Sequence, residues 1–267
     1  LAGLASRPAV RRATLRAPRI GLYKPWLASE DEGWTRFCLD KSGFTYTSLD
    51  NEAMRGASLP TRFDVIVLPS VSKDVIVDGK RKSDEGPTYQ EPLPPPYAGG
   101  IGREGVSRLE EFVKQGGTLV CLSASCALPI EEFNLPVRDL AAKVKPADFS
   151  LPGTLVRILV DPSQPLAFGL PERCAAYVTG GPVFATSPPG AGTGRAVIAR
   201  YPEYADQVVE SGWAQGPALM AGHAAVVDVT LGRGHVVLFG PRVQHRGQMV
   251  GTLEFLFNAI YQSVMKP

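Results

Sequence analysis

Histidine and cysteine are scarce in this chain, and their scarcity excludes more than anything present. The 267 residues include three histidines and four cysteines. His223, His235 and His245 form no HExxH or HxxE spacing, and no CxxC pair occurs, so the usual two-ligand start of a zinc site is missing. No metal and no cofactor is therefore assigned to the chain. Cys38, Cys121, Cys126 and Cys174 are too few and too scattered for a disulfide scaffold. A Cys121–Cys126 bridge is conceivable across a turn, but buried or free thiols are the expectation. No apolar run approaches the roughly 20 residues that span a bilayer. The net charge of +2, from 28 basic and 26 acidic side chains, gives no field that would select nucleic acid or a membrane surface.

The chain is 44% hydrophobic, enough to bury a sizeable core. Residues 1–18 contain no signal-peptide core and read as a basic arm or linker, which places the domain at residues 19–267. "RIGLYKPW" predicts a short buried strand. "SEDEGWTRFCLDKSG" then predicts a helix with Ser29 as N-cap, acidic residues in its first turn and Gly43 as terminator. Trp34, Phe37 and Cys38 recur on one face of that helix, so Trp34 is expected in the core. "FTYTSLD" and "FDVIVLPS" predict two further strands, the second apolar for five residues in a row, as in a parallel sheet covered on both faces.

From Val71 to Gly102 the pattern breaks. Charge, five prolines between Pro87 and Pro96 and no periodicity predict a long surface loop or flap, its ends pinned by Tyr89 and Tyr97. "GREGVSRLEEFVKQGG" restores a helix and "TLVCL" a strand, completing the order of a doubly wound sheet. After Leu151 the sequence is mostly β, with a hairpin turning at "LGRG". A final helix carries Leu253, Leu256, Phe257, Ile260 and Tyr261 on its apolar face. "GAGTGR", Gly190 to Arg195, follows "SPP", opens no helix and lacks a GK[ST] ending, so it is read as a turn and not a phosphate loop.

The stretch "GGTLVCLSASCALP" carries the functional question. An apolar strand empties into a small-residue turn holding Ser123, Ser125 and Cys126, where an α/β protein raises a nucleophile above a strand end. "HVVLFGPRVQHRGQ" delivers His245 just past another strand, so Ser123 or Cys126 with His245 are the candidate catalytic residues. The third member is the weak point. No acid follows His245 within eight positions, Glu254 falls in the closing helix, and Glu131 and Glu132 suit a solvated helix. Arg242, Gln244 and Arg246 in the same segment are the candidate ligand contacts, suited to a carboxylate such as a peptide C-terminus, or to a carbohydrate.

These segments, with "EDEGWTRFCLDKSGFTYTSLDN", "GREGVSRLEEFVKQGGTLVCL" and the ending "GRGHVVLFGPRVQHRGQMVGTLEFLFNAIYQS", resemble the class I glutamine-amidotransferase-like domain that follows the catalytic domain in bacterial zinc carboxypeptidases of the carboxypeptidase A type. The resemblance runs from about Arg19 to the end. It implies a flavodoxin-like, mostly parallel α/β sheet with a β-rich C-terminal half, in a secreted or periplasmic protein whose zinc ligands lie upstream of Leu1. The partner so implied is the upstream peptidase domain of the same polypeptide, with a peptide or small molecule as ligand and homo-oligomers allowed. Active amidotransferases place a Cys at the elbow and pair it with a His followed two residues later by Glu. Here the elbow falls on Ser123 or Ala124, Cys121 is still inside the strand, and Gly247 stands where the acid would be. No glycine flanks the elbow to take its strained backbone. A non-catalytic accessory domain is the expectation, with a hydrolase or amidotransferase of altered chemistry as the alternative.

Overall fold

Aliphatic and β-branched runs without a polar break make the first strands. Ile20–Tyr23 (β1), Val65–Leu68 (β3) and Thr118–Leu122 (β4) are buried along their whole length, as strands covered on both faces are. The structure is a computed structural model and describes residues 15–80, 93–188, 190, 191 and 193–265. Interleaved with these strands are α1 (Glu30–Lys41), β2 (Tyr46–Leu49), α2 (Asn51–Arg55), α3 (Leu59–Arg62), α4 (Lys73–Asp78) and α5 (Gly102–Lys114). Beyond β4 come α6 (Ala127–Glu132), β5 (Val137–Asp139), β6 (Pro152–Val160), β7 (Arg173–Thr179) and β8 (Phe184–Thr186). β9 (Thr193–Arg200), β10 (Val209–Ser211), β11 (Ala224–Leu231), β12 (Gly234–Phe239) and α7 (Val250–Gln262) complete the order.

One sheet of 12 strands runs through the molecule in the order β10-β6-β9-β11-β12-β4-β3-β1-β2, with β7 on β6 and β8 between β11 and β5. The segment β12-β4-β3-β1-β2 is parallel throughout. β12 joins the halves, pairing parallel with β4 on one side and antiparallel with β11 on the other. Leu39 of α1 and Phe255, Leu256 and Ile260 of α7 pack on one face of the sheet, whereas Met54, Ile76, Leu109, Phe112 and Leu128 of α2 and α4 to α6 pack on the other. The expected α/β, flavodoxin-like doubly wound sheet with a β-rich second half is what the chain forms. Because β2 and β3 lie on opposite sides of β1, the loops after β1 and β3 diverge, and a crevice opens where the strand order reverses.

Three local expectations are corrected. The Val71–Gly102 segment is not loop from its start: Lys73–Asp78 is a helix with Val75, Ile76 and Val77 buried, and Ile101 N–H donates to Ile76 O at 2.8 Å. Tyr89 lies outside the described residues, while Tyr97 packs on Trp26 with ring centroids 5.2 Å apart. Trp34 is half-buried, with its indole donating to Glu30 Oε1 at 3.0 Å. The buried stripe of α1 is Asp31, Thr35, Cys38 and Leu39, because its polar members bond to loops on the sheet edge. In α7 the buried face is Thr252, Phe255, Leu256, Ala259 and Ile260, leaving Tyr261 exposed. The rotation follows from Thr252 Oγ1, which donates to Val243 O at 3.0 Å.

Asp64 fixes the entry to the parallel half. Its buried carboxylate accepts from the Arg19 backbone at 2.8 Å and from the Arg16 and Arg19 guanidiniums, so the last part of the basic arm is anchored. Burial opposes the charge, but the hydrogen bonds from Arg16 and Arg19 outweigh it and hold the carboxyl well below the usual carboxylate range. Both guanidiniums are about half exposed, so water rehydrates them when the acid is removed, which limits the loss. Asp64→Ala is expected to cost about 1–3 kcal/mol in urea unfolding at neutral pH. A depressed folded pKa stabilises above the unfolded value of about 3.9 and loses that contribution as pH falls. The gap between wild type and variant should therefore narrow in acid, and a pH-independent gap would assign the effect to packing.

Candidate functional site

The chain leaves β4 at Leu122 and turns through one 3-10 turn, Ser123–Cys126, into α6. Ser123 takes φ of 50°, a left-handed conformation costing about 1–2 kcal/mol for a side chain with Cβ. The elbow therefore falls on Ser123, and the serine itself accepts the strain that sequence reasoning reserved for glycine. Ser125 closes the turn: its Oγ accepts from Leu122 N–H at 2.9 Å and lies 3.0 and 3.1 Å from the Leu122 and Leu68 carbonyls, to either of which it can donate.

The elbow has its backbone shape, but its hydroxyl is covered. Ser123 is 2% exposed, and a Cβ built on Gly181 would lie 2.9 Å from Ser123 Oγ and 3.1 Å from Gly240 O. Gly181, at φ of 99°, thus lets the turn after β7 press directly onto the serine. The amide that would stabilise an oxyanion, on the residue after the nucleophile, is also occupied. Ala124 N–H donates to Ser70 Oγ at 3.3 Å, and Ser70 N–H donates to Asp31 Oδ2 at 2.7 Å.

His245 lies at the same edge, stacked on Tyr177 at 4.0 Å and 10°. Its Nδ1 is buried without a hydrogen-bond partner, so no acid orients the ring. Burial first, then the charges of Arg242 and Arg246, hold its pKa below the ordinary histidine value. At position 247 an added Cβ would meet Phe37 Cε1 at 2.7 Å, so the place of the missing acid is filled by Phe37. Glu254 faces Gly169, while Glu131 and Glu132 pair with Lys73, and Glu132 also with Arg103.

Cys126 is corrected as a candidate nucleophile. It is fully buried, and its Sγ donates to the Cys121 and Phe239 carbonyls at 3.3 and 3.6 Å. Burial pushes its thiol pKa well above the ordinary value, the opposite of an activated thiolate. All four cysteines are free thiols, so the conceivable Cys121–Cys126 bridge does not form.

Arg242, Gln244 and Arg246 do not converge as a ligand cluster. Gln244 is fully buried, and its amide donates to Asp31 Oδ2 and Thr35 Oγ1, both at 3.0 Å. Arg246 is exposed and faces Glu30 at 3.8 Å. Only Arg242 borders the crevice of about 610 Å³ between the loops after β1 and β3, together with Ser29, Asp31, Ser70 and Val71. Sequence reasoning missed Asp31 and Ser70. The one signal for Asp31 was the 31, 35, 38 spacing, which puts an acid on the inward stripe of α1, while Ser70 stands in the connection after β3 outside any such pattern.

No family model and no curated protein matches the sequence. Among solved structures the chain is similar to PurLQS from Thermotoga maritima, at 14% identity and a TM-score of 0.55, covering 93% of this chain and 98% of that one. It is also similar to a ThuA-like protein from Bacteroides uniformis, at 12% identity and 0.52, covering 97% and 95%. A beta-galactosidase from Bacillus circulans aligns at 13% identity and 0.52 over 96% of this chain but 32% of its own. These likenesses show the fold, an amidotransferase-like and ThuA-like α/β sheet. No helix among the described residues is long and apolar enough to cross a membrane.

The covered elbow makes a direct chemical prediction. Fluorophosphonate and iodoacetamide should leave Ser123 and Cys126 of the native chain unmodified when mapped by mass spectrometry, with Cys126 alkylated only after unfolding. Labelling of Ser123 that vanishes in His245→Ala would instead reveal a working nucleophile and base.

Proposed function

We propose that this chain is a non-catalytic amidotransferase-like module that serves a zinc metallocarboxypeptidase as an accessory domain. The observation that carries the non-catalytic part is the relay at the elbow, in which Ser70 Oγ accepts the Ala124 amide and Asp31 holds Ser70 in place. Attack by Ser123 would have to start from a hydroxyl under Gly181 and an unoriented imidazole, and the tetrahedral oxyanion it formed would find that amide already bonded. The accessory part rests on the sequence resemblance of residues 19–267, which puts the peptidase domain and its zinc upstream on the same polypeptide and the protein in a secreted or periplasmic setting. The module itself holds no zinc ligands in this reading, and contacts the peptidase through its crevice or the Val71–Gly102 segment.

Two measurements test the two parts. Glutamine or p-nitrophenyl acetate incubated with the chain should be consumed at the buffer rate, and Ser123→Cys should not raise it, since no orienting acid and no free amide are supplied by that change. Turnover that falls at least a hundredfold in His245→Ala would overturn the non-catalytic reading. In the polypeptide carrying the peptidase, deletion of residues 19–267 should lower Tm or peptidase activity. Unchanged values of both would end the accessory reading.

A further inference from the structure

We propose that the outer face of α7, with Phe168 beside it, is the interface through which two copies of this chain associate. The inference goes beyond the accessory reading and does not depend on it. It starts from a helix whose exterior does not suit water. α1 carries six charged residues in twelve and α5 six in thirteen, as helices with one solvated face do. α7 carries one in thirteen, Glu254. Its inner face is already taken by Thr252, Phe255, Leu256, Ala259 and Ile260. Val250, Leu253, Phe257 and Tyr261 therefore form a second apolar stripe, at i, i+3, i+7 and i+11, that turns away from the sheet.

The stripe is widened on both sides. Phe44 packs on Phe257 and Tyr261 with ring centroids 5.1 and 5.5 Å apart. On the opposite side Asn258 Nδ2 donates to Phe168 O at 2.8 Å, which ties that backbone to α7 while the side chain stays 79% exposed. Val250 is 73% exposed, and Tyr261 and Met265 are 40% and 44% exposed. With roughly 150–200 Å² for a large apolar side chain in the open, these four leave on the order of 400 Å² of apolar surface in water, to which Leu253 and Phe257 add. A contiguous patch of that size marks an interaction site.

Area and charge together select a second copy as its occupant. Each partner in a standard interface gives up about 800 Å², of which about 65% is apolar in homodimers, and the α7 face supplies most of that share. The single charge is also turned aside, since the Glu254 carboxylate lies against Gly169. A face this poor in charge gives a charged partner nothing to pair with, but it meets its own copy across a two-fold axis with almost no like-charge repulsion. Gly251 adds an independent sign. It is exposed within α7, and an added Cβ would meet nothing within 4 Å. Glycine weakens a helix interior and no contact within the described residues accounts for it here, whereas a second backbone drawn close to the stripe does.

The test is sedimentation velocity with light scattering on the folded chain from about 0.1 to 100 µM. A monomer–dimer equilibrium should appear with Kd on the order of 1–10 µM. Phe168→Glu and Val250→Lys, both at highly exposed side chains, should each raise Kd at least tenfold. Neither should change the circular dichroism spectrum, nor the fluorescence-detected Tm at about 0.1 µM, below the Kd. Gly251→Gln should raise that Tm through helix propensity and still weaken the dimer, which separates the interface from the fold. A chain that stays monomeric at about 100 µM overturns the proposal. So does a dimer whose Kd none of the three variants changes, because it would use another surface, and so does open-ended association beyond two chains.

Discussion

The carboxylate of Asp31 is the constraint on which the C-terminal edge of the parallel sheet depends. It sits in the first turn of α1 and bonds the loop after β3 through Ser70 and the segment after β12 through Gln244. Three connections that are distant in sequence are thereby fixed to one atom. Burial raises the pKa of this carboxyl, opposed by the Ser70 amide, Arg242 and Gln244. An acid kept in such a place is held by geometry, because every group bonded to it would be left unpaired if it were removed.

The same atom explains why a nucleophile elbow is present without its chemistry. With Ser70 oriented by Asp31, the serine hydroxyl falls on the Ala124 amide, and the turn after β7 falls on Ser123. The losses are therefore spread over separate loops, and each is sterically or electrostatically maintained: Phe37 fills the space by Gly247, and Tyr177 holds His245 flat. Groups that act as a unit fail as a unit, so the elbow persists as a turn that packs α6 against the sheet.

Much of this was legible in the sequence. Continuous apolar runs identified β1, β3 and β4, and Ser29 and Gly43 bounded α1, because these signals are local. The edge on which Ser123 and His245 lie was legible too, since strand-end turns follow from strand order. What was not legible depends on distant partners. The polar stripe of α1 makes sense only with Gln244, 213 residues away, so Trp34 and Phe37 looked like the inner face. The helix α4 was hidden because its six residues stand next to a charged, proline-rich stretch that dominates the composition. Cys126 stood in the small-residue turn as a candidate nucleophile, but the chain folds its thiol inward onto two carbonyls.

The position of β12 has a kinetic consequence. β4 is complete at Leu122, yet the strand that covers its free edge ends only at Phe239, after the whole β-rich half has been made. During synthesis, the four-stranded parallel half must wait with β4 as an open apolar edge. Closure then requires pairing across more than a hundred residues, a slow, high-contact-order step. The strand that welds the two halves is thus made after both of them, and the interval before it pairs is when the chain is most exposed to aggregation.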